Sequence, residues 1–351
     1  YPDIRYTGIP FEFLNRLVKL GATDKETMEK WPNLDVGYAA WFDPEMASYV
    51  FLLMAEEAGV KLMLNTYFCD AIVEENAVKG VIVQNKSGRQ AVRAKVVVDA
   101  TGEADVAASA GVPCTLNKGL PFGLITRIGN VNHEKVVQYL SENPVTEPDS
   151  EFKEWFKEYL VKQLGLPPED AVKTGCYKVW TYSYPDRPIK KIWEEKGSWN
   201  FCPMEIWKLA QKAVKNGDLD IIRKVDGVGT VEAGWDGLYY QSGAEKCVHG
   251  NICMLWGPDG SNGEHVTKVE VAARKYTVEL VNFLKKYFPG FEGAQIMDVG
   301  VRTMPRTSRE IEGEYHFKRE DRKSARFPDA VYTWVSLARE ELSDIPFRIL
   351  L

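Results

Sequence analysis

The sequence lacks several patterns that would mark a particular class of protein. It has no apolar run of about 18 residues or more, so a membrane-spanning helix is not expected. Its net charge is -6, whereas binding to nucleic acid requires a basic face. The most basic stretch, 316–326, is interrupted by Glu320 and Asp321, which is typical of a solvated loop. We therefore expect neither a membrane nor a nucleic-acid partner.

Cysteine is scarce and is spaced poorly for metal binding. None of the six cysteines forms a C-x-x-C pair, and the closest two are Cys247 and Cys253. Zinc and iron–sulfur sites need closely spaced thiolates, and disulfide frameworks belong to short, cysteine-dense chains. We predict no metal site, reduced thiols and a cytoplasmic location. Two unrelated buried thiols explain Cys247 and Cys253 more simply than a redox pair does.

The sequence also has no G-x-G-x-x-G turn, which usually opens a dinucleotide-binding βαβ unit. It begins with Tyr1-Pro-Asp-Ile and shows neither an initiator methionine nor a targeting segment. We expect the natural N-terminus, with any localisation signal, to lie upstream of Tyr1.

Hydrophobic periodicity predicts an α/β organisation in the first third of the chain. Asp43 is a good cap for a helix that has Pro44 in its first turn and Gly59 just beyond its end. The β-branched run 94–98 predicts a strand, and a helix is predicted directly after it. Helices are predicted at 10–20, 23–31, 44–58 and 104–110, and strands at 60–64, 68–73, 78–84, 90–93 and 94–98.

The middle of the sequence, from about Gly119 to Gly263, is rich in tryptophan and tyrosine and predicts a second, mixed domain. Aromatic side chains there could stack on a sugar or heterocycle, but they more commonly fill an irregular core. A capping box at Thr267 and Glu270 predicts a long helix that ends near Phe288. Further helices are predicted at 150–164 and 204–216, and strands at 294–303, 313–317 and 330–336.

The segment Val96-Val-Val-Asp-Ala-Thr-Gly-Glu-Ala-Asp105 has the clearest chemical pattern. In open α/β sheets, ligands bind beyond the carboxyl ends of the strands. Gly102 would allow a cofactor to approach the backbone, Thr101 offers a hydroxyl, and the amides at the start of the next helix favour an anion such as a pyrophosphate. A strand-to-helix turn that uses glycine only for its geometry is the alternative.

Ordered blocks of sequence resemble the FAD-dependent oxidoreductases related to the flavoproteins of fumarate reductase and of heterodisulfide reductase. They cover roughly residues 42–113 and 266–351, about half of the chain. The blocks are Asp43-Pro-Glu, Glu57-Ala-Gly-Val60, Lys86-Ser-Gly-Arg89, Ala94–Gly102, Gly111-Val-Pro113, Thr267-x-x-Glu270, Ala273-Arg274, Pro289-Gly-Phe-Glu292, Gly300-Val-Arg302 and Arg306-x-x-Arg309-x-Ile-x-Gly-Glu-Tyr315.

The resemblance implies an FAD/NAD(P)-binding, Rossmann-like α/β fold of the two-dinucleotide type, with a β-meander and a large mixed α+β insertion. It implies a partial FAD-binding domain at 1–118, an aromatic-rich substrate or cap domain at 119–290, and a return to the FAD-binding domain at 291–351. Ile345-Pro-Phe-Arg348 resembles the start of the last FAD-contacting loop, so we expect the chain to be an internal piece of a longer protein.

The resemblance also implies that FAD is the cofactor and that a set of residues in the 99–105 segment contacts it. These residues are Ala100, Thr101 and Gly102, followed by Glu103 and Asp105. The family usually has aspartate directly after the glycine, and this chain has Glu103 there. The contact expected of this first acidic residue is therefore less well defined than the others.

Candidates for catalysis are Arg302, Arg306 and Arg309, two of which match an arginine pair of the family. An arginine near a flavin could stabilise negative charge on the reduced ring or bind a substrate carboxylate. An ion-pair network with neighbouring glutamates is the competing interpretation. His316 is a further candidate for proton transfer, although a lone histidine after a strand is usually structural.

The function implied is hydride or electron transfer, through a non-covalent FAD, to or from an unidentified small-molecule substrate. Two alternatives remain open. One is a flavin-bearing electron-transfer component of a heterodisulfide reductase-like complex, acting with a protein redox partner. The other is a non-redox carbohydrate-binding module on a vestigial FAD fold. A homo-oligomer is compatible with each of these functions.

Overall fold

The structure, a computed structural model, describes residues 8–23, 42–117, 121–145, 149–181, 188–201, 203–233, 238–241, 247–306 and 308–313. The chain divides into two compact units. The first unit takes residues 1–117 and 307–351, and the second takes residues 118–306. The functional roles of the predicted domains 1–118, 119–290 and 291–351 stay predictions.

The first unit combines short helices with a small antiparallel meander. As predicted, Asp43 caps the second helix, because its Oδ1 accepts the backbone N–H groups of Glu45 at 2.8 Å and Met46 at 3.1 Å. The described elements are helices α1 (Ile9–Lys19), α2 (Pro44–Glu57) and α3 (Asp105–Ser109), the meander β1 (Tyr67–Glu74), β2 (Ala77–Asn85) and β3 (Gly88–Arg93), and the pair β4 (Cys114–Leu116) with β13 (Arg309–Ile311).

Two apolar runs of the first unit were predicted as strands and form none. Residues 60–64 and 94–98 belong to no β-ladder of the described residues. Their side chains stay largely in solvent, with Leu64 64%, Val96 76% and Val98 82% exposed. The prediction was wrong because β-branched residues favour a strand only where a neighbouring strand supplies hydrogen bonds and a surface to pack on.

An antiparallel sheet of eight strands organises the second unit. Its main path is β11-β5-β10-β8-β7, while β12 also pairs with β5, and β9 pairs with both β10 and β6. The strands are β5 (Phe122–Gly129), β6 (Ser198–Phe201), β7 (Ile222–Val225), β8 (Gly229–Ala233), β9 (Leu238–Gln241), β10 (Val248–Trp256), β11 (Gln295–Val299) and β12 (Met304–Pro305). The central strand β10 is buried along most of its length.

Helices of the second unit pack on this sheet around one apolar core. The longest, α10, turns a stripe of residues spaced three or four apart toward the sheet, among them Val269, Ala273, Tyr276 and Leu280. The helices are α4 (His133–Glu142), α5 (Ser150–Leu164), α6 (Pro168–Ala171), α7 (Gly175–Trp180), α8 (Ile189–Lys196), a 3₁₀ turn (Pro203–Ile206), α9 (Trp207–Lys215) and α10 (Gly263–Tyr287).

The start of α10 differs from the prediction. Asn262 is the cap, because its Oδ1 accepts the N–H groups of Glu264 and His265, and the helix begins four residues before Thr267. Thr267 instead donates its hydroxyl to the carbonyl oxygen of Gly263 from inside the helix. The predicted Thr267–Glu270 capping box was therefore wrong, because asparagine upstream is the stronger cap.

The mixed α/β class is confirmed, while the two-dinucleotide arrangement stays a prediction. Every strand pairing among the described residues is antiparallel. Within the described parts of the chain, no helix is both long enough and apolar enough to cross a membrane. Most of the predicted helix 23–31, the strands 313–317 and 330–336, His316 and the 345–348 segment lie outside the described residues.

Candidate functional site

The segment 99–105 forms a turn that its own side chains hold in place. Asp99 Oδ1 accepts hydrogen bonds from the Thr101 hydroxyl at 2.7 Å and the Thr101 N–H at 3.1 Å. The Thr101 Oγ1 in turn accepts the N–H of Asp105 at 3.0 Å. An aspartate and a threonine two residues apart commonly form such local bonds with the backbone. The geometry of the turn is therefore set before any ligand binds.

The electrostatics of Asp99 favour its charged form. Partial burial raises the pKa of this carboxyl, but hydrogen bonds from the Thr101 hydroxyl and from the backbone N–H groups of Ala107, Thr101 and Val106 outweigh burial. The net effect is a pKa of Asp99 below its usual range. Asp99 is thus a fixed anion whose lone pairs are used inside the turn.

The backbone N–H groups at the start of α3 are hydrogen-bonded within the turn and the helix. The N–H of Asp105 is bonded to Thr101, the N–H of Ala107 to Asp99 Oδ2 at 3.0 Å, and the N–H of Ala108 to the carbonyl of Ala104. These N–H groups therefore already have hydrogen-bond partners, one of which is the Asp99 carboxylate. These bonds weigh against the pyrophosphate contact predicted there, which stays a prediction.

The backbone at Gly102 is open. Its φ of 87° lies in the left-handed region, which L side chains rarely adopt. No heavy atom lies within 4 Å of the place a Cβ would take, and both Gly102 and Ala100 are exposed. Because nothing in the described chain covers this side of the turn, another group can approach its backbone closely.

The structure brings Arg309, one of the predicted catalytic arginines, to this turn. Its Nη1 donates to Asp105 Oδ1 at 2.7 Å and to the carbonyl oxygen of Glu103 at 3.2 Å. The Arg309 side chain is 20% exposed and that of Asp105 is 46% exposed. Strand β13, which pairs with β4, delivers Arg309 to this position. Arg309 therefore makes an ion pair, as the competing interpretation expected, but its described partner is Asp105 and not a neighbouring glutamate.

Arg302 and Arg306 belong to the second unit and are both exposed. Arg302 lies on a loop that α10 holds, because Arg274 Nη2 donates to the carbonyls of Gly300 and Val301 at 3.1 Å each. Glu270 Oε2 accepts the N–H of Thr303 at 2.7 Å. The loop itself is therefore fixed, while the Arg302 side chain points into solvent.

The remaining candidates from the sequence are mostly structural. The five described cysteines are free thiols, and burial raises the pKa of Cys253 far above its usual range, which makes that thiol unreactive. Trp180, Trp199 and Trp207 are at most 2% exposed, which confirms the core interpretation for these three. Among the described residues, no group of three or more His, Cys, Asp or Glu side chains could hold a metal ion.

The sequence did not single out His133, which lies in an aromatic cluster of the second unit. Trp199 Nε1 donates to His133 Nδ1 at 3.2 Å, and the ring stacks on Tyr240 with 3.6 Å between centroids. Burial lowers the pKa of His133 to about 4, so the imidazole is neutral near pH 7. With Nδ1 accepting, the proton must sit on Nε2. Only the aromatic enrichment of the region indicated such a cluster.

Two pairings at the turn were likewise missed, for different reasons. The spacing of Asp99 and Thr101 is a local pattern that could have been read from the sequence. The pairing of Arg309 with Asp105 joins positions 204 apart and has no local signal. The first is a turn motif, and the second depends on the fold.

Comparison with known proteins supplies the family. The chain matches the family model described as FAD dependent oxidoreductase over residues 3–333. No curated protein and no solved structure matches it. The matched range includes both the 99–105 turn and Arg309, and the family is one of enzymes. The chain therefore belongs to the FAD dependent oxidoreductase family.

Proposed function

We propose that this enzyme transfers hydride or electrons, through a non-covalently bound FAD, to or from a small-molecule substrate. We further propose that Ala100, Thr101 and Gly102 contact the cofactor. When bound, FAD supplies the redox chemistry, and the protein supplies orientation and a fixed electrostatic environment. The observation that supports this assignment is the uncovered, left-handed backbone at Gly102 within the matched family range.

The chemistry of the turn favours one part of the cofactor over another. Glu103 and Asp105 present carboxylates, which accept hydrogen bonds from hydroxyl groups and repel phosphates. The neighbouring amides are already bonded within the turn. We therefore infer that the turn binds a hydroxyl-bearing portion of FAD, a ribose or the ribityl chain, and that the pyrophosphate is held by other residues.

Arg309 acts in this proposal as a positioning residue. Its two hydrogen bonds hold the Glu103 carbonyl and the Asp105 carboxylate at fixed places, so it orients groups that would meet the cofactor. Arg302 and Arg306, which are exposed cations, remain the candidates for binding an anionic substrate group.

The direct test is the visible spectrum of the purified full-length gene product, before and after incubation with FAD. A flavin absorption band that bleaches on addition of dithionite is the expected result. A protein that stays colourless after reconstitution would contradict the proposal and leave the carbohydrate-binding alternative. Arg309→Lys keeps the charge but loses the forked geometry, so it should weaken FAD binding without abolishing it.

A further inference from the structure

A groove of about 450 Å³ lies in the second unit between the hairpin β7–β8 and helix α10. Its size is within the range of small-molecule sites, roughly 300–1,000 Å³. It contains none of the residues of the 99–105 turn and none of the three candidate arginines. The groove is therefore a separate feature that the redox function does not explain.

The interior of the groove is apolar and rigid. Val225, Val231, Val271 and Ala272 line it together with Tyr276. Tyr276 is 1% exposed, and its hydroxyl donates to the backbone carbonyl of Ile221 at 2.8 Å, so the ring cannot swing away. Such a surface can bury a flat or aliphatic body without rearrangement.

The rim of the groove is cationic, and part of that charge is unpaired. Lys224 and Lys275 line the groove and are exposed, and neither makes an ion pair with any described residue. Arg223 is paired with Glu279 through two hydrogen bonds. Lys268 is paired with Glu264 at 2.8 Å. Asp226 also lines the groove and is exposed, so the lining carries two carboxylates, Asp226 and Glu279, against the four cations Arg223, Lys224, Lys268 and Lys275. The lining therefore keeps an excess of positive charge, and Lys275 is its unpaired cation on α10.

Arg223 forms part of the wall of the groove and is held in place there. Its guanidinium carbon lies 5.0 Å from the centroid of the Tyr276 ring, which fixes the side chain by cation–π contact. Its Nε is buried and has no hydrogen-bond partner among the described residues, although Asp220 Oδ2 lies 3.9 Å away.

From this combination we propose that the groove binds a small amphipathic organic anion, with its apolar body on Val271 and Tyr276 and its carboxylate beside Lys275. The apolar floor excludes a purely ionic ligand, and the excess of positive charge in the lining favours a negative head group over a neutral or positive one. This proposal is independent of the flavin, since each residue it uses lies in the second unit.

The test uses 4-phenylbutyrate as the probe, with 4-phenylbutanol as its uncharged analogue. Binding to the full chain is followed by titration calorimetry and by the methyl NMR signals of Val225, Val231 and Val271. The acid should bind and shift these signals, and the alcohol should bind at least roughly fivefold more weakly. Equal affinity of the two compounds, or an absence of shifts at these methyl groups, would overturn the proposal.

Charge reversal gives a matched control on the same helix. Lys275→Glu should weaken phenylbutyrate binding roughly fivefold or more, whereas Lys285→Glu, an exposed lysine of α10 outside the groove, should leave it unchanged. Thermal unfolding of both variants shows that each still folds. Equal effects of the two changes would mean that only the net charge matters, and the specific site would be refuted.

Filling the groove separates its shape from its charge. Val271 and Val278 are each 49% exposed on α10, but only Val271 lines the groove. Val271→Trp should abolish binding, and Val278→Trp should retain it. Persistent binding in Val271→Trp would overturn the proposal. Binding of an acidic peptide without binding of phenylbutyrate would also overturn the small-anion proposal. That result would mean that the sheet edge at β7 binds a protein partner.

Discussion

The two units differ sharply in how they bury apolar side chains. Among the described residues, the core of the second unit is one cluster of 45 buried residues, while that of the first is a cluster of five. Helix α2 of the first unit is apolar on most sides, yet it buries only Ala47 and Val50 and exposes Phe51 at 55%. An apolar helix of this kind normally lies inside a protein.

This difference shows where each unit obtains its order. The second unit is held by hydrophobic burial, which scales with the area removed from water. The described part of the first unit is held mainly by local bonds, such as the Asp43 cap and the Asp99–Thr101 turn. Large effects of core substitutions are therefore expected in the second unit, and pairwise contacts matter more in the first.

The largest expected effect comes from a matched pair of phenylalanines. Phe156 is 0% exposed in the core of the second unit, so Phe156→Ala should lower the free energy of unfolding by about 3–5 kcal/mol. Phe51→Ala in the first unit should cost at most about 1 kcal/mol, chiefly through its stacking on Phe13. Urea unfolding, with hydrogen exchange assigning each transition to its unit, measures both. Equal losses of unfolding free energy in the two variants would contradict the difference between the two cores.

The pH dependence of stability should have opposite sign in the two units. Burial raises the pKa of the Glu232 carboxyl to about 8 in the second unit. Between the unfolded value of 4.5 and about 8, the folded unit holds a proton that the unfolded chain releases. Its free energy of unfolding should therefore fall as pH rises, by up to about 1.4 kcal/mol per pH unit. Glu232→Gln should remove that slope, as denaturation across pH would show.

In the first unit, Asp99 has a pKa below its usual 3.8, so its contribution is complete at neutral pH and is lost as pH falls below 3.8. Asp99→Asn should reduce this acid sensitivity while lowering stability at pH 7. An unchanged slope in either variant would mean that other groups set the pH response of that unit.

A smaller effect is expected from the ion pairs of the first unit. Arg309 is 20% exposed and holds both Glu103 and Asp105, so Arg309→Gln should cost about 1 kcal/mol. Arg93 pairs with Glu74 while 61% exposed, so Arg93→Gln should change stability by less than about 0.5 kcal/mol. Thermal unfolding of the two variants compares them directly. A costlier Arg93 substitution would contradict the positioning role of Arg309.

The smallest expected difference is between the two helix caps. Asp43 and Asn262 each accept two backbone N–H groups, so Asp43→Ala and Asn262→Ala should each cost about 1 kcal/mol. Because caps are local, the cost should not depend on the size of the core behind the helix. A large difference between the two variants in the free energy of unfolding, measured by chemical denaturation, would show that capping is coupled to packing.

The features that the sequence predicted well are local ones. The Asp43 cap and the meander β1–β3 depend on residues close together in the chain, and both formed as expected. The strand predicted at 94–98 did not form, because a strand needs a neighbouring strand and the run itself cannot specify one. The Arg309–Asp105 pair joins residues 204 positions apart, so only the fold could reveal it. The resemblance to a flavin-dependent family identified the turn that this pair holds.

The central claim, that FAD contacts the turn at Gly102, has a direct test in a pair of glycines. Gly102 and Gly111 have φ values of 87° and 83°, and a Cβ at either would meet no atom within 4 Å. Substitution by valine should therefore strain both turns similarly. FAD titration of the full-length protein, followed by flavin fluorescence, should show a large loss of affinity for Gly102→Val and little loss for Gly111→Val. Equal affinities in the two variants would contradict the account.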